Sequence, residues 1–69
     1  MTRDILVYWY NADDVRISVD EYGYSDILVY AITDETILVE TSAGIPDTMD
    51  FFLYLEDEYG KGNVEILYG

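Results

Sequence analysis

Apolar residues gather in three runs, ILVYWY (5–10), ILVYAI (27–32) and FFLYL (51–55), each about the length of a strand. The segment DILVYWY (4–10) is rich in β-branched and aromatic residues, which suit a pleated, half-buried surface, and it predicts a strand. DILVYAIT (26–33) and TILVETS (36–42) predict two more, and the short acidic turn Asp34-Glu35 between them predicts a hairpin. NVEILY (63–68), after Gly60-Lys61-Gly62, predicts the last strand.

Two segments fit either period. In ADDVRISVDEY (12–22), Asn11 suits a helix cap, Asp13 and Asp14 suit the positive end of the helix dipole, and Gly23 suits its end. Val15, Val19 and Tyr22 would then share a face, yet Val15, Ile17 and Val19 also alternate as in a strand. In DTMDFFLYLEDEY (47–59), Asp47 and Asp50 resemble a capping box, Gly60 suits the residue past a helix end, and Phe51, Phe52, Leu55 and Tyr59 form a helical stripe. Residues 51–56 alternate less cleanly, so periodicity favours the helix at 47–59. Each choice gives an α+β fold: a single small domain with an about five-stranded, mostly antiparallel twisted sheet and one or two short helices.

At 69 residues the chain is one domain (1–69), and a domain this small buries only roughly 60% of its unfolded surface. It has no cysteine and no histidine, so no disulfide can brace it and no thiolate or imidazole can hold a metal. Stability must come from apolar content, which is high at 51%. The apolar runs fall far short of the ~20 residues of a membrane helix, and Met1-Thr2-Arg3-Asp4 lacks a basic signal-peptide start. A cytoplasmic protein away from membranes is expected.

Charge changes the picture most. Fifteen acids against three bases give −12, beyond the magnitude of ~2–8 that keeps a small domain soluble. The excess destabilises the compact state by self-repulsion, and a basic partner surface would offset it. A halophilic or merely well-solvated protein is the plain alternative. Disordered acidic tails concentrate their charge and lack a core, whereas here the acids are spread through a chain rich in Tyr, Ile and Val.

The chemistry of catalysis is poorly supplied. Without His or Cys the usual nucleophile–base pairs cannot be built, and Ser18, Ser25 and Ser42 stand in no recognisable Lys-dyad motif. Paired carboxylates serve glycoside hydrolysis, but the chain leaves little room for a sugar cleft. Arg3, Arg16 and Lys61 are too few to cradle phosphates, and there is no glycine-rich phosphate loop. Glu56-Asp57-Glu58 offers hard oxygen ligands without the spacing of a calcium loop, and a solvated acidic turn explains it better. No enzyme activity, metal or cofactor is expected. Direct binding to nucleic acid is opposed by the charge, since that affinity begins with Lys and Arg on phosphates. The complementary idea remains: carboxylates on a small rigid scaffold occupying a basic groove built for phosphates, with tyrosines and Trp9 adding apolar contact.

From Ala12-Asp13-Asp14-Val15 to Ser25-Asp26-Ile27-Leu28-Val29 the chain resembles the phage uracil-DNA glycosylase inhibitor family, small acidic DNA mimics of α+β fold. The first stretch is similar to that family's acidic helix start, Pro-Glu-Glu-Val, and SDILV is a five-residue identity. Asp34-Glu35, Thr41-Ser42, Pro46, the run 51–55 and the strand 64–67 match more loosely, so the likeness covers most of 12–68. The family's long N-terminal helix is missing, and its first-strand Glu-Ser-Ile matches at best Asp4-Ile5-Leu6. The resemblance places the helix at 12–22, against the periodicity. It implies an inhibitor that lies in the DNA groove of uracil-DNA glycosylase, with Asp4, Asp13 and Asp14 imitating phosphates. It also implies an apolar pocket between helix and sheet, at Val15, Val19, Val29 and Leu38, that receives a side chain from the enzyme's DNA-intercalating loop; for each of these alone, ordinary core packing is the competing reading. If phage-encoded, the protein would work in the host cytosol.

Two other functions fit. One is a DNA mimic aimed at another nucleic-acid-binding defence protein, an anti-CRISPR or anti-restriction role. The other is an acidic protein-interaction module that mimics nothing, for example a small homo-oligomer joined through a sheet edge rather than a monomer.

Overall fold

Strand β1 (Arg3–Val7) leads into helix α1 (Ala12–Tyr22), then strands β2 (Ile27–Thr33) and β3 (Thr36–Thr41), helix α2 (Ile45–Tyr59), a single 3-10 turn (Lys61–Asn63) and strand β4 (Val64–Leu67). The computed structural model describes residues 3–23, 27–42 and 45–67, the side chains of 45 and 46 excepted. Asp26 and Tyr68, expected as strand ends, lie outside the described residues, as does the Ser25-Asp26 half of SDILV. The α+β class and antiparallel sheet stand as expected. Among the described residues the strands number four, close to the expected five or so, because both ambiguous segments are helices.

Local chemistry explains why both are helical. The Asn11 side chain accepts the Asp13 N–H at 3.0 Å, satisfying one of the donors a helix start leaves free. Gly23 takes φ 91°, open to glycine at little cost, and its N–H donates to the Val19 carbonyl at 3.2 Å. Ile17, which made the segment alternate, is 57% exposed on the outer side. In α2 the helix begins at Ile45, so Asp47 sits inside the first turn rather than capping it. Pro46 is in that turn too, where its missing N–H has no partner to lose. Gly60, at φ 94°, ends α2 by donating its N–H to the Glu56 carbonyl at 2.8 Å.

The strand order is β2-β3-β1-β4, every neighbouring pair antiparallel. β1 and β2 therefore run parallel with β3 between them and are joined by α1. β3 and β4 run parallel with β1 between them and are joined by α2. Two interleaved split βαβ units of this kind make the ferredoxin-like plait, an architecture that carries many functions and specifies none. The expected strand 4–10 stops at Val7. Trp9 turns back to donate its N–H to the Val7 carbonyl at 3.1 Å, and Tyr8–Tyr10 cross the end of the sheet toward α1.

Both helices cover one face. Ile5 and Val7 of β1, Ile37 and Val39 of β3, and Val64 of β4 are buried against Val15 and Val19 of α1 and Phe51, Leu55 and Tyr59 of α2. The helices meet through aromatic rings, Tyr22 lying 5.0 Å from Phe51 and 4.8 Å from Tyr54 between centroids. Hydrogen bonds join them as well. The Tyr59 hydroxyl donates to the Asp14 carbonyl at 3.0 Å and lies 2.7 Å from the Ser18 hydroxyl, while Tyr54 donates to the Ser18 carbonyl at 3.0 Å.

This seam makes stability fall in alkali. Burial raises the pKa of Tyr59 and of Tyr54 above the ordinary 10.0, and nearby Glu58 and Glu21 push both the same way. The folded state thus prefers the protonated phenols. Their contribution is complete below pH 10.0, where both states are protonated, and is lost as pH rises from there through the folded pKa values. Far-UV circular dichroism and tyrosinate absorbance recorded together should show unfolding above about pH 10, with the last tyrosines ionising as the helices melt. Full tyrosinate formation with helix signal intact would contradict it.

Candidate functional site

The second face of the sheet carries neither helix. Register places its residues in rows: Leu28, Glu40, Asp4 and Leu67 across the four strands, then Tyr30, Leu38, Leu6 and Glu65 beside them. Tyr8 follows on from β1, its hydroxyl donating to the Glu65 carboxylate at 2.8 Å. That hydrogen bond, broken on ionisation, raises the Tyr8 pKa. Leu28, Tyr30 and Leu67 are exposed, as is Ile32 beyond the register shift in β2. Among the described residues the face is thus apolar in its middle and set with three carboxylates. The three bases lie elsewhere: Arg3 has the strand parity of the helix-covered side, Arg16 is on α1 and Lys61 is in the 3-10 turn.

Asp4 is the anomaly on this face. It stands directly across from Glu40, a like-charge cross-strand pair that weakens a sheet. Its Oδ1 is buried and has no hydrogen-bond partner among the described residues. A buried acceptor left unpaired costs about 1–3 kcal/mol, and more when charged. A sheet built for stability alone would place a β-branched residue there.

The residues singled out in the sequence separate in space. Asp4 is on the open face near the start of β1. Asp13 and Asp14 open α1, beyond the other end of β1 and over the opposite face. Asp13 is exposed and pairs with Arg16 at 3.0 Å, and Asp14 accepts the Trp9 Nε1–H at 3.2 Å. Among the four pocket residues, Val15 is closed inside the core. Val19 and Val29 do come together: with Arg16, Asp20, Ile27 and Leu28 they line a groove of about 320 Å³ between α1 and β2. Leu38 does not join them, because its strand parity turns it to the open face.

Sequence reasoning missed several acids. Glu40 and Glu65 share the open face with Asp4, and only the strand pairing reveals it. Asp47, Asp50, Asp57 and Glu58 are all exposed along α2. From Asp47 to Glu58 is roughly 16 Å of helix at 1.5 Å per residue. The four charges stand about 5.5 Å apart on average, wider than the ~3.4 Å per charge of a single DNA strand. Their helical spacing was a signal available in the sequence. Among the described residues, no group of three or more acids could hold a metal ion, and no helix is long and apolar enough to cross a membrane.

No family model, curated protein or solved structure matches the chain. What the protein does must therefore be argued from these surfaces.

Proposed function

We propose that this chain is a non-enzymatic protein inhibitor that imitates the charge of DNA and occupies the basic groove of a DNA-binding protein, with uracil-DNA glycosylase as the first target. The observation that carries the reading is Asp4: a carboxylate kept across from Glu40 on a largely apolar sheet face, with a buried oxygen unpartnered among the described residues, at a cost to its own fold. A basic groove would supply the missing partner. Three bases can neutralise at most three of fifteen acids, so the remaining charge of −12 projects a long-range attraction toward such a groove. The exposed Leu28, Tyr30 and Leu67 would supply the dry contact that holds a complex once it has formed.

The target follows from the resemblance to the glycosylase inhibitors. In that reading the groove beside Val19 and Val29 takes the enzyme's loop side chain, without Leu38. Inhibition would involve no turnover and no cofactor, and it would take place in the cytosol, the host's if the chain is phage-encoded. The decisive experiment is titration of the protein into a uracil-excision assay with a bacterial uracil-DNA glycosylase. Stoichiometric loss of activity in excess DNA, little relieved by moderate salt, is the expected result. Full activity at micromolar protein would remove this target and move the same charge logic to restriction enzymes and RNA-guided nucleases.

One observation favours a second reading, an interaction module without mimicry. β2 is an edge strand that shows Leu28, Tyr30 and Ile32 to solvent. Self-association through the open face would bring Asp4, Glu40 and Glu65 against their own copies, so a mass that rises with concentration in sedimentation, and only at high salt, would identify it.

A further inference from the structure

Where the chain leaves β1 it crosses the end of the sheet as Tyr8, Trp9 and Tyr10. These three residues, with Glu35, Thr36 and Asn63, line an open notch of about 440 Å³. The rings are held in place. Tyr8 is tied by its hydroxyl to Glu65 and by its N–H to the Asn63 carbonyl at 2.7 Å. Trp9 donates to Asp14, meets Tyr59 edge-on at 4.8 Å and lies 5.2 Å from the Tyr10 ring. Tyr10 itself is 73% exposed, and no core contact accounts for a large ring left so open. Glu35 sits in the β2–β3 turn with its N–H on the Thr33 hydroxyl. Its carboxylate is exposed and takes no hydrogen bond among the described residues. Among the described residues the lining contains no base.

We infer that this notch receives the guanidinium of an arginine side chain supplied by the basic partner. Aromatic faces attract cations through their quadrupole, and a planar guanidinium both stacks on a ring and pairs with a carboxylate through two parallel N–H groups. An ammonium is drawn to the rings and the carboxylate as a point charge but neither stacks nor pairs through two parallel N–H groups, and an anion is opposed by Glu35 and by the charge of the whole molecule. The inference rests on the basic-partner reading and deepens it, since it names the side chain that the partner brings.

The chain has a single tryptophan, so Trp9 emission reports on the notch directly. The test is a fluorescence titration at constant ionic strength with N-acetyl-arginine N-methylamide, beside its lysine and citrulline counterparts. The arginine probe should give a saturable change with half-saturation on the order of 10 mM. The lysine probe should bind about tenfold more weakly, and neutral citrulline should give no saturation. Glu35→Gln and Tyr10→Ala change exposed side chains, so their circular dichroism should match the parent while the arginine response disappears. No saturation with arginine, an equal response to lysine or citrulline, or binding that survives Glu35→Gln would each overturn the assignment. The glycosylase titration is independent: a protein that inhibits without binding the arginine probe keeps the mimic reading and loses the notch, and one that binds the probe without inhibiting keeps the notch and loses the glycosylase as its target.

Discussion

Phe51→Ala should leave the domain largely unfolded at room temperature. Phe51 is fully buried on α2, with Tyr22 and Tyr54 packed around its ring. Truncating a buried phenylalanine costs about 3–5 kcal/mol, from lost transfer energy and the cavity left behind. A domain of this size has roughly 3–10 kcal/mol in total, at about 0.05–0.15 kcal/mol per residue. The chain has no cysteine to form a disulfide, no second core exists among the described residues to take up the loss, and the net charge of −12 favours the expanded chain. Far-UV circular dichroism and urea unfolding check it, with Leu53→Ala as the control. Leu53 is on the same helix but exposed, so its loss should stay within about 0.5 kcal/mol. A Phe51→Ala variant as stable as its Leu53→Ala companion would mean that the stability does not reside in the helix-to-sheet core.

The contrast between these two positions marks where the sequence is informative. The stripe Phe51, Leu55, Tyr59 and the glycine behind it are enough to place a helix and its buried side, because periodicity and caps act locally. Asn11 with Gly23 says the same of α1, and the Asp34-Glu35 hairpin is local too. The expectation of a fifth strand came from setting the two segments against each other and from Ile17, an exposed apolar residue that imitates a strand period. Faces of the sheet are a different matter. In TILVET the stretch Ile37-Leu38-Val39 is apolar throughout, and only Glu40, on Leu38's strand parity, signals that Ile37 and Val39 lie under the helices while Leu38 turns away. That depends on which face the crossover helices cover. Asp4 has the same limit: its opposition to Glu40 exists only once β1 and β3 pair. Acidic composition pointed to a partner, but pairing across the sheet decides which acids stand together.

Asp4→Lys should separate fold from function, with a large loss of inhibition and no loss of stability. The substitution removes the carboxylate oxygen that is buried without a partner, relieving a cost of about 1–3 kcal/mol. It also sets a cation across from Glu40, and an opposite-charge cross-strand pair is worth about 0.2–1 kcal/mol. Thermal melting should therefore stay level or move upward. In a basic groove the same lysine faces like charge, which costs several kcal/mol. At about 1.4 kcal/mol per tenfold, inhibition of the glycosylase should weaken by about a hundredfold or more. Measuring the melt and the inhibition titration on one preparation gives three readable outcomes. A level or raised melt with inhibition lost assigns the Asp4 carboxylate to the partner. A level melt with inhibition intact moves the contact to the acids of α1 and α2 on the opposite side. A clear drop in melting temperature shows that Asp4 serves the sheet after all, and with it falls the observation on which the mimic reading stands.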